Sequence, residues 1–353
     1  MKILISAGES SGELIAEYFE RVVEKTCPST VCVRLGTTGK IGPVLGFWEG
    51  LRSAVRFRCW LKMANVEVSE LKPDLVVLIG FPEFHLVIGR LCRRRDLPVF
   101  VIGSPQVWAW GGFRLTQLRK AADKVICLFR FEEQLLKRAG IDAQYLGYPI
   151  YDHVVAQRSR DETLKLLGFN KDDRYIVFMP GSRPVEIEFH EPLFVRLFER
   201  LRVRRQGLKG VLVRAPGTFL PLGMTWNVNQ RYDVIRHAEC AVVVSGTATA
   251  ECALLGTPEV VCYHLSQPTR ILARLFVRTP FFAIPNLLAG RRVVSEFLEP
   301  TVESLEQEVE RLLDDRSYHQ QVVSELAIVR RLLGPSGAME RIVQLALNQT
   351  DRR

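Results

Sequence analysis

With 353 residues, 47% hydrophobic and 25% charged, the chain has enough apolar material for two globular domains and too much for a disordered one. Its formal charge of +9 favours an anionic partner, but no helix-turn-helix, zinc-finger or RNA-binding signature accompanies it, so nucleic acid is not expected. No apolar run reaches the length of a membrane span, and the opening Met1-Lys-Ile-Leu-Ile-Ser6 reads as a first strand without a signal-peptide layout, so a cytoplasmic protein is expected.

Strand-length apolar runs alternate with longer helical patterns from end to end. The predicted strands are 3–6, 75–79, 99–102, 125–128, 176–179, 210–213, 241–244 and 259–263. Most are apolar on both faces, as a parallel sheet covered by helices requires, and their alternation with helices predicts doubly wound α/β units. Two of these runs, 1–6 and 175–179, break into Gly/Ser turns followed by helix patterns, so each is expected to open one domain. The polar stretch 152–173 marks the change between them. The expected organisation is 1–155 as an acceptor- and membrane-facing Rossmann-like domain, 170–300 as a nucleotide-binding one, and 301–353 as helices packing across both. Ligands of such sheets bind outside the carboxyl ends of the strands, so the two sites are expected to face one cleft. Eight cysteines without a C-x-x-C pair read as reduced, mostly buried side chains.

Candidate sites follow the strands. After the first comes Gly8-Glu-Ser-Ser-Gly-Glu13, which is not a G-x-G-x-x-G fingerprint; Gly8, Ser11, Gly12 and Glu13 suit either acceptor binding or a plain glycine turn with a helix cap. The segment Phe47 to Lys62 mixes aromatics with Arg52, Arg56, Arg58 and Lys62, and with Trp60 it suits an anionic bilayer surface or an ordinary amphipathic helix. A second such stretch is 270–278. After the strand 75–79, Glu83 is a candidate general base beside a proline-fixed turn, with His85 as the fallback. Trp108 and Trp110, in Ser104-Pro-Gln-Val-Trp-Ala-Trp110, suit a sugar or acyl contact or a domain interface.

The strongest signal is a pair of turns in the second half. Pro180-Gly-Ser182-Arg183 and Ser245-Gly246-Thr247-Ala248-Thr249-Ala-Glu251 each place small residues between a strand and a helix start. Small residues admit a close backbone approach, and a helix start offers N–H groups to a phosphate. With Arg183 to fork onto phosphate and Glu251 to accept ribose hydroxyls, a nucleoside diphosphate fits. Asn286, Arg291 and Arg292, in the loop 282–292, suit nucleotide contact or a capped connection. No D-x-D pair and no metal-spaced cluster occurs, so neither metal nor cofactor is expected.

Taken in order, Ala7-Gly-Glu-Ser-Ser-Gly12, Pro82-Glu-Phe84, Ser104-Pro-Gln-Val-Trp-Ala-Trp110, Phe131-Glu-Glu133, Gly147-Tyr-Pro149, Pro180-Gly-Ser-Arg-Pro-Val-Glu-Ile187, Ser245-Gly-Thr-Ala-Thr-Ala-Glu251 and Ile284-Pro-Asn-Leu-Leu-Ala-Gly-Arg291 resemble the lipid-A-disaccharide synthase family across nearly the whole chain. The resemblance implies a GT-B glycosyltransferase fold. It implies transfer of 2,3-diacylglucosamine from its UDP form to 2,3-diacylglucosamine 1-phosphate, giving a β-1,6 disaccharide 1-phosphate and UDP with inversion. It further implies peripheral association with the anionic inner-membrane surface of a Gram-negative bacterium. A homodimer is an open expectation.

The departures all fall in the first half. The family's Asp-x-Pro-Asp-Phe-Asn is Gly80-Phe-Pro-Glu-Phe-His85 here, so the family's base position carries Glu83 and the first Asp is absent. Gly-Asp becomes Gly12-Glu13, Gly-His-Pro becomes Gly147-Tyr148-Pro149, and the region 35–47 is short. Two other readings therefore stand beside the first: a GT-B enzyme with a different acceptor, and a UDP- or membrane-binding paralogue with little turnover.

Overall fold

The structure, a computed structural model, describes residues 1–8, 10–36, 54–109, 112–214, 228–265 and 279–349, with the side chains of 10, 54–56 and 228–229 left aside. Arg52, Trp110 and the segment 270–278 lie outside the described residues, as does the Arg56 side chain. The chain divides into two compact units, Met1–His153 with Gly334–Arg353, and Val154–Leu333.

The first unit contains β1 (Lys2–Ala7), α1 (Ser10–Thr26), β2 (Val31–Arg34), α2 (Ala54–Leu71), β3 (Leu75–Ile79), α3 (Pro82–Arg93), β4 (Val99–Ile102), α4 (Arg114–Ala121), β5 (Lys124–Ile126), α5 (Arg130–Arg138) and β6 (Ala143–Gln144). Its six strands pair in parallel in the order β2-β1-β3-β4-β5-β6. β3 and β4 are buried along their whole length, which accounts for their unbroken apolar sequences.

In the second unit α6 (Arg160–Leu166), β7 (Arg174–Met179), α7 (Pro184–Arg204), β8 (Leu208–Leu212), α8 (Val228–Arg236), β9 (Cys240–Val244), α9 (Thr247–Leu255), β10 (Glu259–Tyr263), α10 (Ile284–Ala289), β11 (Ser295–Leu298), α11 (Val302–Asp314) and α12 (Arg316–Leu333) follow one another. The parallel sheet is ordered β11-β10-β9-β7-β8. Counted from its own first strand this is 2-1-3-4-5, the winding that the first unit also begins with. In both, the strand order reverses between the first and third strands: β1/β3 in one unit, β7/β9 in the other. Such a reversal opens a crevice at the carboxyl ends, where ligands of open sheets bind.

The three strands that the sequence pattern did not reveal are all edge strands, β2, β6 and β11. None is buried throughout, so none needs an apolar run. The helices expected as one region over 301–353 divide instead. α11 packs on α7, with Arg200 bonded to Glu303 at 2.8 Å and to Glu306 at 2.7 Å, and α12 packs on α9. The last helix, α13 (Ala338–Asn348), returns to the first unit and packs on α1. Arg341 anchors it by donating to the Leu146 carbonyl at 2.8 Å.

Trp60 corrects a sequence expectation. On α2, Trp60, Ala64 and Val68 recur every fourth residue and are buried in the core, so this tryptophan supports the fold and does not face a membrane. All eight cysteines are free thiols, five of them buried.

Candidate functional site

At the β1/β3 reversal, the chain leaves β3 through two successive left-handed residues, Gly80 (φ +65°) and Phe81 (φ +46°), before Pro82 starts α3. A glycine adopts this backbone freely; a phenylalanine does so only when its surroundings fix it. The Phe81 ring is buried and stacks on Phe84 at 5.7 Å. On its other side lies Gly8, where an added Cβ would come within 2.2 Å of the Phe81 Cβ. Gly12 allows α1 a similar approach, since a Cβ there would lie 3.1 Å from the Ile79 carbonyl oxygen. Two glycines expected at the acceptor are therefore also required by packing. Of their neighbours, Ser11 stands half-buried in the first turn of α1, and Glu13 pairs with Arg34 at 2.9 Å.

This turn delivers Glu83 to the first turn of α3, with a side chain 54% exposed and one oxygen 2.8 Å from Arg114 Nη2. The carboxylate is thus oriented by an arginine yet open to an incoming hydroxyl. His85 differs in every respect. It is buried, its Nδ1 bonds the Gly80 carbonyl, and its Nε2 lies 2.9 Å from Ser6 Oγ. Burial pushes its pKa down to about 4, opposed by the bond to Gly80. A neutral ring with both nitrogens engaged is no fallback base.

Glu132, quoted in the sequence only within the Phe131-Glu-Glu133 segment, organises the loops after β4 and β5. Its buried carboxylate accepts from Ser104 Oγ (3.0 Å), Trp108 Nε1 (3.1 Å), Leu128 N (2.9 Å) and Phe129 N (3.0 Å). Burial pushes its pKa up against these four donors. Trp108 is thereby pinned at its indole nitrogen, with its ring edge-on to Phe131 at 5.3 Å.

At the β7/β9 reversal the two small-residue turns are brought side by side, because β7 and β9 are sheet neighbours. Their helix starts are not equivalent. At the first, Gly181 has φ +105°, and Glu186 folds back to accept from Ser182 N at 3.1 Å and Arg183 N at 3.2 Å. The Arg183 guanidinium, 37% exposed, lies 3.4 Å from the same carboxylate. At the second, Gly246 has φ +152°, no side chain caps α9, and nothing stands within 4 Å of where a Cβ would be. Thr247 and Ala248 are half-buried there. Ser245 Oγ donates to Phe282 O (2.8 Å), and Thr249 Oγ1 accepts from Ile284 N (3.3 Å), so 282–284 buttresses the turn. An open helix start of this kind can receive an anion.

Three expected ligand contacts are turned elsewhere. Glu251, with a side chain 2% exposed, is ion-paired with Arg231 of α8. Asn286 is fully buried: its Oδ1 accepts from Val293 N (2.6 Å) and Val294 N (2.9 Å), and its Nδ2 donates to Val294 O (2.9 Å). Arg291 pairs with Glu325 and lines a recess of about 430 Å³ together with Arg311 and Tyr318. A carboxylate and an amide inside apolar surroundings serve a ligand or a loop equally well, and the sequence does not distinguish them. Glu296 was passed over entirely, yet it accepts from Phe282 N (3.1 Å) and Ala283 N (2.8 Å) and so holds the buttress. Among the described residues no group of His, Cys, Asp and Glu could hold a metal ion.

The chain is similar in fold to solved structures of nucleotide-sugar enzymes. These include S. aureus MnaA with UDP (TM-score 0.65, 14% identity, covering 99% of this chain and 97% of that one). The Neisseria meningitidis UDP-GlcNAc 2-epimerase bound to UDP-GlcNAc gives a TM-score of 0.65 at 13% identity, over 99% and 100% of the two chains. Spinosyn rhamnosyltransferase SpnG gives 0.56 at 14%, over 100% of each. The fold is accordingly of GT-B type. In sequence, the lipid-A-disaccharide synthase of Myxococcus xanthus (strain DK1622) is 32% identical, covering 98% of this chain and 97% of the relative. That of Syntrophus aciditrophicus (strain SB) is 31% identical over the same shares. The family model for lipid-A-disaccharide synthetase matches residues 3–334, from the first strand through both reversals to the return into the first unit, and the chain belongs to that family.

Proposed function

We infer that this protein is a UDP-dependent hexosyltransferase that forms the lipid A disaccharide; the end-to-end family match carries this reading. The donor is UDP-2,3-diacylglucosamine and the acceptor 2,3-diacylglucosamine 1-phosphate. The acceptor 6-hydroxyl attacks the anomeric carbon opposite the diphosphate. The bond from that carbon to the diphosphate oxygen breaks, and UDP departs with the electron pair. The hydroxyl has a pKa far above neutral, so its proton must be taken as attack proceeds. Glu83 takes it, an assignment supported by its exposure and by the arginine that orients it. The uncapped start of α9 and the Arg183 guanidinium receive the charge that builds on the leaving diphosphate. Since Glu186 already occupies the amides of Ser182 and Arg183, the turn at α9 is the principal phosphate cradle.

The acceptor is an amphiphile, and the protein meets it at a bilayer surface. No described helix is long and apolar enough to cross a membrane. Opposite the buried Trp60 face, α2 exposes Arg58 and Lys62 beside Met63 (43%) and Val66 (52%), a mixture suited to peripheral attachment to anionic lipid. Charge reversal at Arg58 and Lys62 should reduce flotation with anionic vesicles at low salt; unchanged flotation would remove α2 from the membrane surface.

The reading is tested by incubating the protein with both diacyl substrates and analysing products by mass spectrometry. Disaccharide 1-phosphate and UDP are expected in equal amounts, and only when both substrates are present. Absence of the disaccharide with every acyl length tried would leave a nucleotide-binding paralogue.

A further inference from the structure

We propose that Ser6 and His85 are positioning residues that clamp the left-handed turn carrying Glu83 to the end of β1. The proposal rests on the assignment of Glu83 as the base. The Gly80 carbonyl can only accept, so His85 Nδ1 carries the ring proton and donates it to that oxygen. Nε2 is then the lone-pair nitrogen, and Ser6 Oγ donates to it at 2.9 Å. The resulting chain, from Ser6 through the imidazole to Gly80, links neighbouring strands across the reversal and is almost wholly buried, with Ser6 6% and His85 3% exposed. It restrains the residue at which the backbone first turns left-handed, three positions before the carboxylate.

The neighbours explain why a clamp is needed. Phe81 holds a backbone that a side chain disfavours, and contacts with Gly8, Phe84 and the edge of the His85 ring (5.8 Å) fix its position. Released from Gly80, the turn could relax toward ordinary backbone angles and swing Glu83 away from its pairing with Arg114. Misplacing a reacting group by an ångström can cost roughly a hundredfold in rate. An imidazole suits the task because it spans both partners at once. A side-chain amide, shorter by the far edge of the ring, reproduces the Gly80 bond and gives up the Ser6 one.

The test compares kcat, donor and acceptor KM, UDP affinity and melting temperature for His85→Ala, His85→Asn, Ser6→Ala and Glu83→Gln. His85→Ala should lose roughly tenfold to a hundredfold in kcat per folded molecule, with UDP affinity unchanged. His85→Asn should recover most of that loss, and Ser6→Ala should fall severalfold. Should His85→Ala not fold, the Asn and Ser6 variants decide. Wild-type kcat in both His85→Ala and Ser6→Ala would overturn the clamp. So would a His85→Asn as inactive as Glu83→Gln, since His85 would then be acting on the proton itself. Full turnover in Glu83→Gln would instead sink the base assignment, whatever the His85 variants do.

Discussion

At the β1/β3 reversal the glycine after the first strand is filled by protein: a Cβ on Gly8 would meet Phe81 at 2.2 Å. At the β7/β9 reversal the corresponding space beside Gly246 is empty to 4 Å. Both units wind their sheets alike, so topology alone gives each a crevice. What differs is who occupies the room that glycine leaves. In the first unit the chain itself does, and the outcome is a rigid turn that presents a carboxylate. In the second it is left to a ligand, and the outcome is an uncapped helix start. A small-residue turn in sequence therefore marks a close approach without saying whether protein or ligand makes it.

Substitutions can break this contrast. The largest stability effect is expected behind the second crevice, where Glu251→Ala strands the buried Arg231 charge. Losing one partner of a buried pair costs about 3–5 kcal/mol. Urea denaturation should show that loss; a stable variant with weakened UDP binding would instead return Glu251 to the ribose.

Acid should act on the first crevice. With its pKa lowered from 6.5 to about 4 in the fold, His85 contributes stability that is complete above pH 6.5 and lost as pH falls toward 4. The loss amounts to about 3 kcal/mol by linkage. Denaturation curves across that range should be flatter for His85→Asn than for wild type, and parallel curves would show that the ring is not buried neutral.

Arg183→Ala removes a charge-assisted contact worth about 1.5–3 kcal/mol, so calorimetric titration should show UDP affinity falling roughly tenfold or more. The glycines sharpen the contrast most finely. Gly8→Ala forces Phe81 to move, at about 1–3 kcal/mol of overpacking, and should lower turnover with UDP affinity intact. Gly246→Ala strains a backbone at φ +152° and narrows the phosphate approach, so it should weaken UDP binding. Exchange of these two phenotypes would refute the assignment of the two crevices.

The sequence made the eight inner or long strands legible because burial on both faces demands continuous apolar runs, as in β3 and β9. Edge strands carry no such demand, and β2, β6 and β11 went unread. Turns were legible through their glycines, and Glu83 through its place after a strand. The partners of polar residues were not. Glu132 and Glu296 are single carboxylates whose role is to collect backbone N–H groups from loops, which no local pattern announces. Glu251 and Asn286 were noticed for the right reason, a polar group beside a helix start, but here protein groups take up their hydrogen bonds. Trp60 was read by its basic neighbours, whereas its four-residue spacing with Ala64 and Val68 was the better signal.

The central claim is a division of labour, with the proton acceptor on the first unit and the nucleotide on the second. Its most direct test is a paired measurement on Glu83→Gln: UDP release with both diacyl substrates, and UDP affinity by calorimetry. Turnover should fall by roughly a hundredfold to ten-thousandfold while UDP affinity matches wild type. Wild-type turnover, or a loss explained by weaker UDP binding, would contradict it.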